Sequence, residues 1–251
     1  MIMTIPIYEP LNTLKKVADN IWIVDGDRIK MNVLAFGIPF STRMTIIKLN
    51  DQTLWCHSPI KPNEKLLKEI DQLGEVKHLI SPNKIHYAYI KEWKKHYPNA
   101  IAWSSPGVEK RAYSQNIKVS FDYPLEDETP SYWQNEIKQL IFKGSRAIEE
   151  VVFFHKSSQT LILTDLIENF ETPQTTGYFW KSVHKFAGIA DPDGKTPIDL
   201  RMTFLGQKER ARQCYEQMLD WQPEKIILAH GRWYDKNGTE ELKRAFRWLE
   251  S

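Results

Sequence analysis

Thr160-Leu161-Ile162-Leu163-Thr164-Asp165 is the stretch that decides the fold. It is apolar and too short for a helix, so it reads as a buried strand, and it stops on a carboxylate. A second stretch matches it. Lys225-Ile-Ile-Leu-Ala229 is a short apolar strand that runs into His230-Gly231. Two further strands end near an imidazole: Thr53-Leu-Trp-Cys-His57, and Val76-Lys-His-Leu-Ile80, which leads through Ser81-Pro-Asn83 to His86. Ligand sites in α/β sheets gather where strand ends meet helix starts, so these four ends are candidates for one site.

Working outward, the first third reads as a meander of short strands. Asn20-Ile-Trp-Ile-Val-Asp-Gly26 alternates and ends in a turn signal, and Asn50-Asp51 turns Arg43–Leu49 into the Thr53 strand. Pro62-Asn63 opens a helix over Glu64–Leu73, with Leu66, Leu67, Ile70 and Leu73 at helical spacing and Gly74 after it. His86, Ile90, Trp93 and Tyr97 share one face of a second helix expected from Lys84 to Tyr97. Ala100–Trp103 follows as a strand, so residues 53–103 alternate strand and helix. Glu136–Phe142, Glu150–His155 and Gln159–Thr164 form a second meander, with a hairpin turn at Lys156–Gln159. Residues 170–200 read as irregular, with Pro173, Gly177, Gly188, Pro192, Gly194 and Pro197. A helix is expected over Met202–Trp221, exposing Lys208, Arg210 and Arg212. A last helix capped by Thr239 runs to Leu249. No linker divides the chain, which reads as one domain over residues 1–251.

Composition narrows the class. The 251 residues carry 34 basic against 32 acidic side chains, too balanced for a nucleic-acid binder. No apolar run approaches the ~18 residues that span a membrane; the longest, Val33–Phe40, is interrupted by Gly37 and Pro39. Met1-Ile-Met-Thr-Ile-Pro6 has no basic start or cleavage motif of a secretory leader. Cys56 and Cys214 lie far apart and read as small buried hydrophobes, which fits a reduced, cytoplasmic protein. Nine tryptophans imply a large aromatic core or a ring-lined pocket.

His86, Asp165 and His230 supply two imidazoles and a carboxylate. That set suits zinc with an open coordination position, or a two-histidine, one-carboxylate iron site. Each residue also has a plainer reading: His86 as a hydrogen-bonded core histidine, Asp165 as a helix cap, His230 as a turn residue. His57 reads as a general base or an outer hydrogen-bond donor beside the cleft, or as a turn histidine. Asn83 reads either as an amide aimed into the site or as a cap.

The sequence resembles the metallo-β-lactamase superfamily. Leu161-Ile-Leu-Thr-Asp165 resembles that family's strand-end aspartate motif, and Ile226-Ile-Leu-Ala-His230-Gly231 its last metal histidine. The phrases Arg43-Met-Thr45, His57-Ser-Pro59, Pro82-Asn83, Ser105-Pro-Gly107, Glu150-Val-Val-Phe-Phe-His155 and Thr164-Asp-Leu-Ile167 resemble one uncharacterised branch, known only as a domain of unknown function. The resemblance implies a four-layer αββα sandwich and a metal-dependent hydrolase. The departures are equally specific. Where the superfamily carries its leading histidines, this chain has Pro82 and Lys84; His86 falls at its aspartate and Tyr87 at its third histidine. Lys143–Glu149 offers no mid-chain histidine. The expectation is therefore one divalent metal (zinc, or iron or manganese) or none, on His86, Asp165 and His230. His57 or Asn83 would orient water or substrate. The reaction would be hydrolysis of a small ester, amide, lactone or phosphoester. The alternative is a metal-free protein, catalytically decayed, that binds a small molecule. Neither reading involves nucleic acid or a membrane, and the oligomeric state stays open.

Overall fold

The computed structural model describes residues 6–33, 36–171 and 178–250. Met1–Ile5, Leu34-Ala35 in the apolar run, and Pro173 and Gly177 lie outside the described residues. The first sheet takes, side by side, β1 (Lys15–Ala18), β2 (Ile21–Val33), β3 (Phe36–Lys48), β4 (Thr53–His57), β5 (Glu75–Ser81), β6 (Ile101–Ser104) and β7 (Tyr123–Pro124). Strands β1 to β4 pair antiparallel, and β4 to β7 pair parallel. The parallel steps need crossovers, and these carry α1 (Glu64–Leu73), α2 (Ile90–His96) and α3 (Val108–Ser114).

The second sheet is built from β8 (Ile137–Phe142), β9 (Glu150–His155), β10 (Thr160–Ile162) and β11 (Lys225–Ile227), in the order β11-β10-β9-β8. Strand β10 pairs antiparallel with β9 and parallel with β11. The crossover between β10 and β11 contains α4 (Tyr178–Ala187), α5 (Ile198–Met202) and α6 (Lys208–Asp220). Helix α7 (Gly238–Phe246) closes the chain with a 3-10 turn over Arg247–Leu249.

Both faces of each sheet are buried, and strand alternation sorts the side chains between them. Along β4, Leu54 and Cys56 face the helices α1 to α3 with Leu66, Ile70 and Trp93, while Trp55 faces the opposite sheet. Along β9, Val152 and Phe154 pack under α6 and α7 with Met218 and Phe246, while Val151 and Phe153 face the first sheet. Three apolar layers between four structural layers make the αββα sandwich that the resemblance implies. Trp93 is fully buried and its Nε1 donates to Ile60 O at 2.7 Å. Truncating such a ring costs about 3–5 kcal/mol. Cys56 and Cys214 are both buried and unpaired, as their spacing implies. No helix among the described residues is long and apolar enough to cross a membrane.

Helix α1 follows its spacing: Asn63 accepts the Leu66 amide at 2.9 Å and caps the first turn. The helix expected from Lys84 begins only at Ile90. The Asn83 side-chain oxygen accepts the Ile85 and His86 amides at 2.8 and 3.1 Å and holds residues 84–89 in turns. The expected Met202–Trp221 helix is two helices. Gly206, at φ +78°, interrupts it in a conformation that costs other residues strain, and leaves Met202 exposed at the end of α5. Thr239 does not cap α7; Asn237 precedes the helix, and the Thr239 hydroxyl donates to Pro223 O at 3.0 Å. The basic face of α6 is partly engaged: Arg212 Nε and Nη2 both donate to Leu249 O, at 3.1 and 2.5 Å. The stretch read as irregular holds α4 and α5.

Candidate metal centre

The site forms where the strand ends of the two sheets meet, and two polar junctions build it. At the first junction, Val151 N donates to Pro82 O at 2.7 Å and so ties the loop after β5 to the start of β9. Glu150, 1% exposed, heads β9. Its two carboxylate oxygens accept the Thr164 and Asp165 amides, each at 2.7 Å. Asn83, fully buried, completes the junction. Its oxygen is occupied by the Ile85 and His86 amides, which fixes the amide orientation. Its nitrogen donates to Asp165 Oδ2 at 2.7 Å, Thr164 Oγ1 at 2.9 Å and Glu150 Oε2 at 3.3 Å. One side chain therefore positions both His86 and Asp165.

At the second junction, Arg43 on β3 is buried with Asp25 on β2; its Nε donates to Asp25 Oδ1 at 2.8 Å. Its Nη1 donates to Leu228 O at 2.6 Å and Gly231 O at 2.8 Å, on either side of His230. Gly231 has φ +86°, and a Cβ there would lie 2.2 Å from Asn169 O, so only glycine fits. His230 Nδ1 lies 2.6 Å from Ser41 O. A carbonyl only accepts, so Nδ1 carries the proton and Nε2 is left facing inward.

Between the junctions, Asp165 Oδ1 stands 3.3 Å from His86 Nε2 and 3.2 Å from His230 Nε2. The three potential ligand atoms all lie within 4.8 Å of one another. His86 Nδ1 is 2.7 Å from Ser58 Oγ, which orients that ring. Burial opposes charge on Asp165, but the His86 and His230 rings overcome it and hold the carboxyl far below the usual carboxylate range. Burial disfavours the His86 imidazolium as well, yet the adjacent Asp165 carboxylate outweighs it and raises the pKa. For Glu150, burial and the Asp165 charge push the pKa up.

The trio fits a metal. Ligand bonds of about 2.0–2.1 Å in tetrahedral geometry put ligand atoms roughly 3.3 Å apart, and the two carboxylate–imidazole separations are 3.3 and 3.2 Å. The donor set also fits. His230 is the tautomer whose neutral form turns a lone pair toward a carboxylate, an arrangement that needs a cation, a proton or a metal ion, between the two. The outer partners Ser41 O, Ser58 Oγ and Asn83 are of the kind that orient metal ligands. Lys84 does not occupy this position, since its ammonium makes no ion pair with Asp165 within 4.0 Å.

His57 does not line this site. It is 2% exposed in the layer between the sheets, stacked on Trp55 with ring centroids 5.6 Å apart and edge-on to Phe153. Burial, helped by the His86 charge, pushes its pKa down to about 3, which makes it a poor proton acceptor. The structure thus places His57 in the layer between the sheets and not among the residues that line the cavity beside Asp165 and His230. Asn83 fills both of its readings at once, capping a turn and holding Asp165. Sequence reasoning missed Glu150, Arg43 and Ser58 as site builders. Their signal was present in the phrases that carry the resemblance, and in a lone carboxylate heading the apolar Val-Val-Phe-Phe strand.

A cavity of about 590 Å³ opens beside Asp165 and His230. Ile85, Ile148, Phe170, Ile189, Ile198 and Leu200 are among its apolar walls, and Glu168 faces it. Burial pushes the Glu168 carboxyl up to about 8, against the pull of His230 and with the Asp165 charge adding to it.

Comparisons with known proteins place the fold. The chain is similar to the DIM-1 metallo-β-lactamase exposed to ceftazidime, with 17% identity, 99% of each chain covered and a TM-score of 0.63. It is similar to the metallo-β-lactamase FIM-1 from Pseudomonas aeruginosa in its mono-zinc form, with 9% identity and a TM-score of 0.60, covering 95% of this chain and 94% of that one. It also resembles rubredoxin oxygen:oxidoreductase from the anaerobe Desulfovibrio gigas, with 12% identity and a TM-score of 0.66 over 95% of this chain and 62% of that one. At these identities the likeness establishes the metallo-β-lactamase fold and nothing finer. No curated protein matches the sequence. The family model for a domain of unknown function, DUF4336, matches residues 18–177, a span that includes Asn83, His86, Glu150 and Asp165 and stops short of His230. Since that span is more than half of the 251 residues, the chain belongs to the DUF4336 family.

Proposed function

We propose that the chain is a hydrolase that works with a single divalent metal ion, zinc or else iron or manganese, held by His86, Asp165 and His230. The observation that carries this reading is one carboxylate oxygen, Asp165 Oδ1, 3.3 and 3.2 Å from two imidazole nitrogens. A ring whose other nitrogen is tied to a backbone carbonyl supports it. A metal ion in that place supplies a bound water with a pKa lowered toward ~7 and polarises the scissile group. Three protein ligands leave the open position that such chemistry needs. The absence of imidazole at Pro82, Lys84 and Tyr87 supports one ion rather than two.

The chain's own residues set the rest. Asn83 and Glu150 hold Asp165 in place, and Ser41 and Ser58 orient the two rings. Glu168 faces the cavity from a buried position, where burial favours the protonated carboxyl and suits it to passing a proton to the leaving group. In the hydrolysis a bond forms from the water oxygen to the acyl or phosphoryl centre. The bond to the leaving group breaks, and the leaving oxygen or nitrogen takes up a proton. Esters, amides, lactones and phosphoesters all meet these terms. The fold supports the reading too, since DIM-1 and FIM-1 are metallo-β-lactamases.

The test is turnover of 4-nitrophenyl acetate and bis(4-nitrophenyl) phosphate by zinc-loaded protein, by chelated protein and by His230→Ala. Turnover by the loaded chain that both treatments remove supports the reading. Turnover that survives His230→Ala contradicts it. Zinc retention without turnover of either class would favour the other reading, a binding protein on a decayed site.

A further inference from the structure

The cavity beside the trio has a feature that the metal reading leaves unused. Its walls are apolar, yet three cations line it: Lys84 after β5, Arg111 on α3 and Arg146 in the loop between β8 and β9. None of the three makes an ion pair among the described residues, although Arg43, Arg232, Arg244 and Arg247 all do. A Cβ built on Gly107 would come 3.9 Å from the Lys84 side chain, so Lys84 lies against the start of α3. The Arg146 guanidinium lies over Gly206, where the same probe would meet Nη2 at 3.4 Å. The apolar lining includes Phe170, Ile189, Ile198 and Leu200, from the excursion after β10 that carries α4 and α5. The cavity thus combines basic and apolar lining, with Asp165 and His230 among it.

The acidic groups that line the same space are Asp165, Glu168 and Asp199. Asp165 is engaged by both histidines. Asp199 is exposed at the start of α5, where its Oδ1 accepts the Leu200 amide at 2.9 Å. Glu168 is buried with its carboxyl held toward the neutral form. His184, 1% exposed in the cavity lining and tilted against Phe170 with ring centroids 6.1 Å apart, has no hydrogen-bond partner for either ring nitrogen among the described residues.

We propose that this cavity takes an amphipathic anion: a molecule with an apolar acyl or aryl body against Phe170, Ile189, Ile198 and Leu200, and a carboxylate, sulfonate or phosphate held by Lys84, Arg111 and Arg146. At about 590 Å³ the cavity is the size of an ordinary small-molecule site. Unpaired cations that line one concave cavity focus field on an incoming anion more strongly than the same charges on a flat surface. That this ligand is the substrate rests on the hydrolase reading; that it binds does not.

The test is calorimetric titration of the chelated full chain with octanoate, octan-1-ol and octylammonium at low and high salt. Octanoate should bind about tenfold or more tighter than octan-1-ol at low salt, and the gap should narrow at high salt. Arg146→Gln, at an exposed loop position, should weaken octanoate roughly threefold. The combined variant Lys84→Ala, Arg111→Gln, Arg146→Gln should erase the gap while octan-1-ol binds as before, which also certifies the fold. Equal binding of acid and alcohol, preference for octylammonium, absence of binding by all three, or a gap that survives the triple variant would each overturn the proposal. Because metal is absent throughout, a failed hydrolase reading leaves this outcome intact, and the reverse also holds.

Discussion

His57 and His230 are equally buried, each 2% exposed, one ending β4 and the other just past β11, yet they sit in opposite chemistry. His57 lies in the aromatic layer between the sheets against Trp55 and Phe153, its Nε2 has no hydrogen-bond partner among the described residues, and burial pushes its pKa down to about 3. His78, in the same layer beside Trp103 and Trp133, is likewise pushed down by burial, to about 4. His230 sits at the sheet edge, where a carbonyl holds Nδ1 and Asp165 faces Nε2. Burial alone makes a histidine neutral and inert. Burial beside a carboxylate suits it to the cation site proposed above.

The largest effect should come from removing the carboxylate. Asp165→Asn leaves two imidazoles without their shared anion, and zinc affinity measured against a chromophoric chelator should fall by more than ~100-fold, beyond the usual cost of losing an outer partner. An affinity within a few-fold of the parent would place the metal elsewhere.

Smaller losses should follow from the junction behind it. Asn83→Ala and Glu150→Gln each remove a hydrogen bond that positions Asp165. Each should lower zinc affinity by roughly 10–100-fold. Asn83→Ala should also destabilise the chain by about 1 kcal/mol through the lost turn cap, read from chemical unfolding without metal.

The inter-sheet histidine should answer to pH instead of to zinc. Its folded pKa, about 3, lies below the ordinary 6.5, so on acidification the unfolded chain takes up the proton first. The stability tied to the neutral ring is complete above pH 6.5 and drains away as pH falls toward the folded value. His57→Phe keeps the stacking and removes the proton site. Between neutral pH and about pH 4.5 it should lose on the order of 2 kcal/mol less than the parent, with zinc affinity unchanged. His78 and His155, both pushed down to about 4 by burial, keep the variant itself acid-sensitive. A weakened zinc site in His57→Phe would bring His57 back into the centre.

The same contrast explains what was legible in the sequence. The Glu64–Leu73 helix and the Glu150–His155 strand follow from spacing and alternation, and the structure gives them the same bounds. His86, Asp165 and His230 were readable because each stands just beyond an apolar strand, where a polar residue has no packing role. His57 also ends a strand but turns into the layer between the sheets, because which sheet face a strand end turns toward is a tertiary fact. The turns over residues 84–89 were hidden for a related reason. The helical spacing of His86, Ile90 and Trp93 is real, but Asn83 captures the amides that would start the helix. Glu150 and Arg43 escaped because their partners lie far along the chain, at Asp165 and at Leu228 and Gly231.

The account's central claim is one metal ion held by one carboxylate between two histidines. Calorimetric titration of zinc into the chelated full chain tests it most directly. The account predicts saturation at one ion per chain, with uptake abolished by His230→Ala and retained by His57→Phe. Saturation at two ions per chain, or no uptake at all, would contradict it.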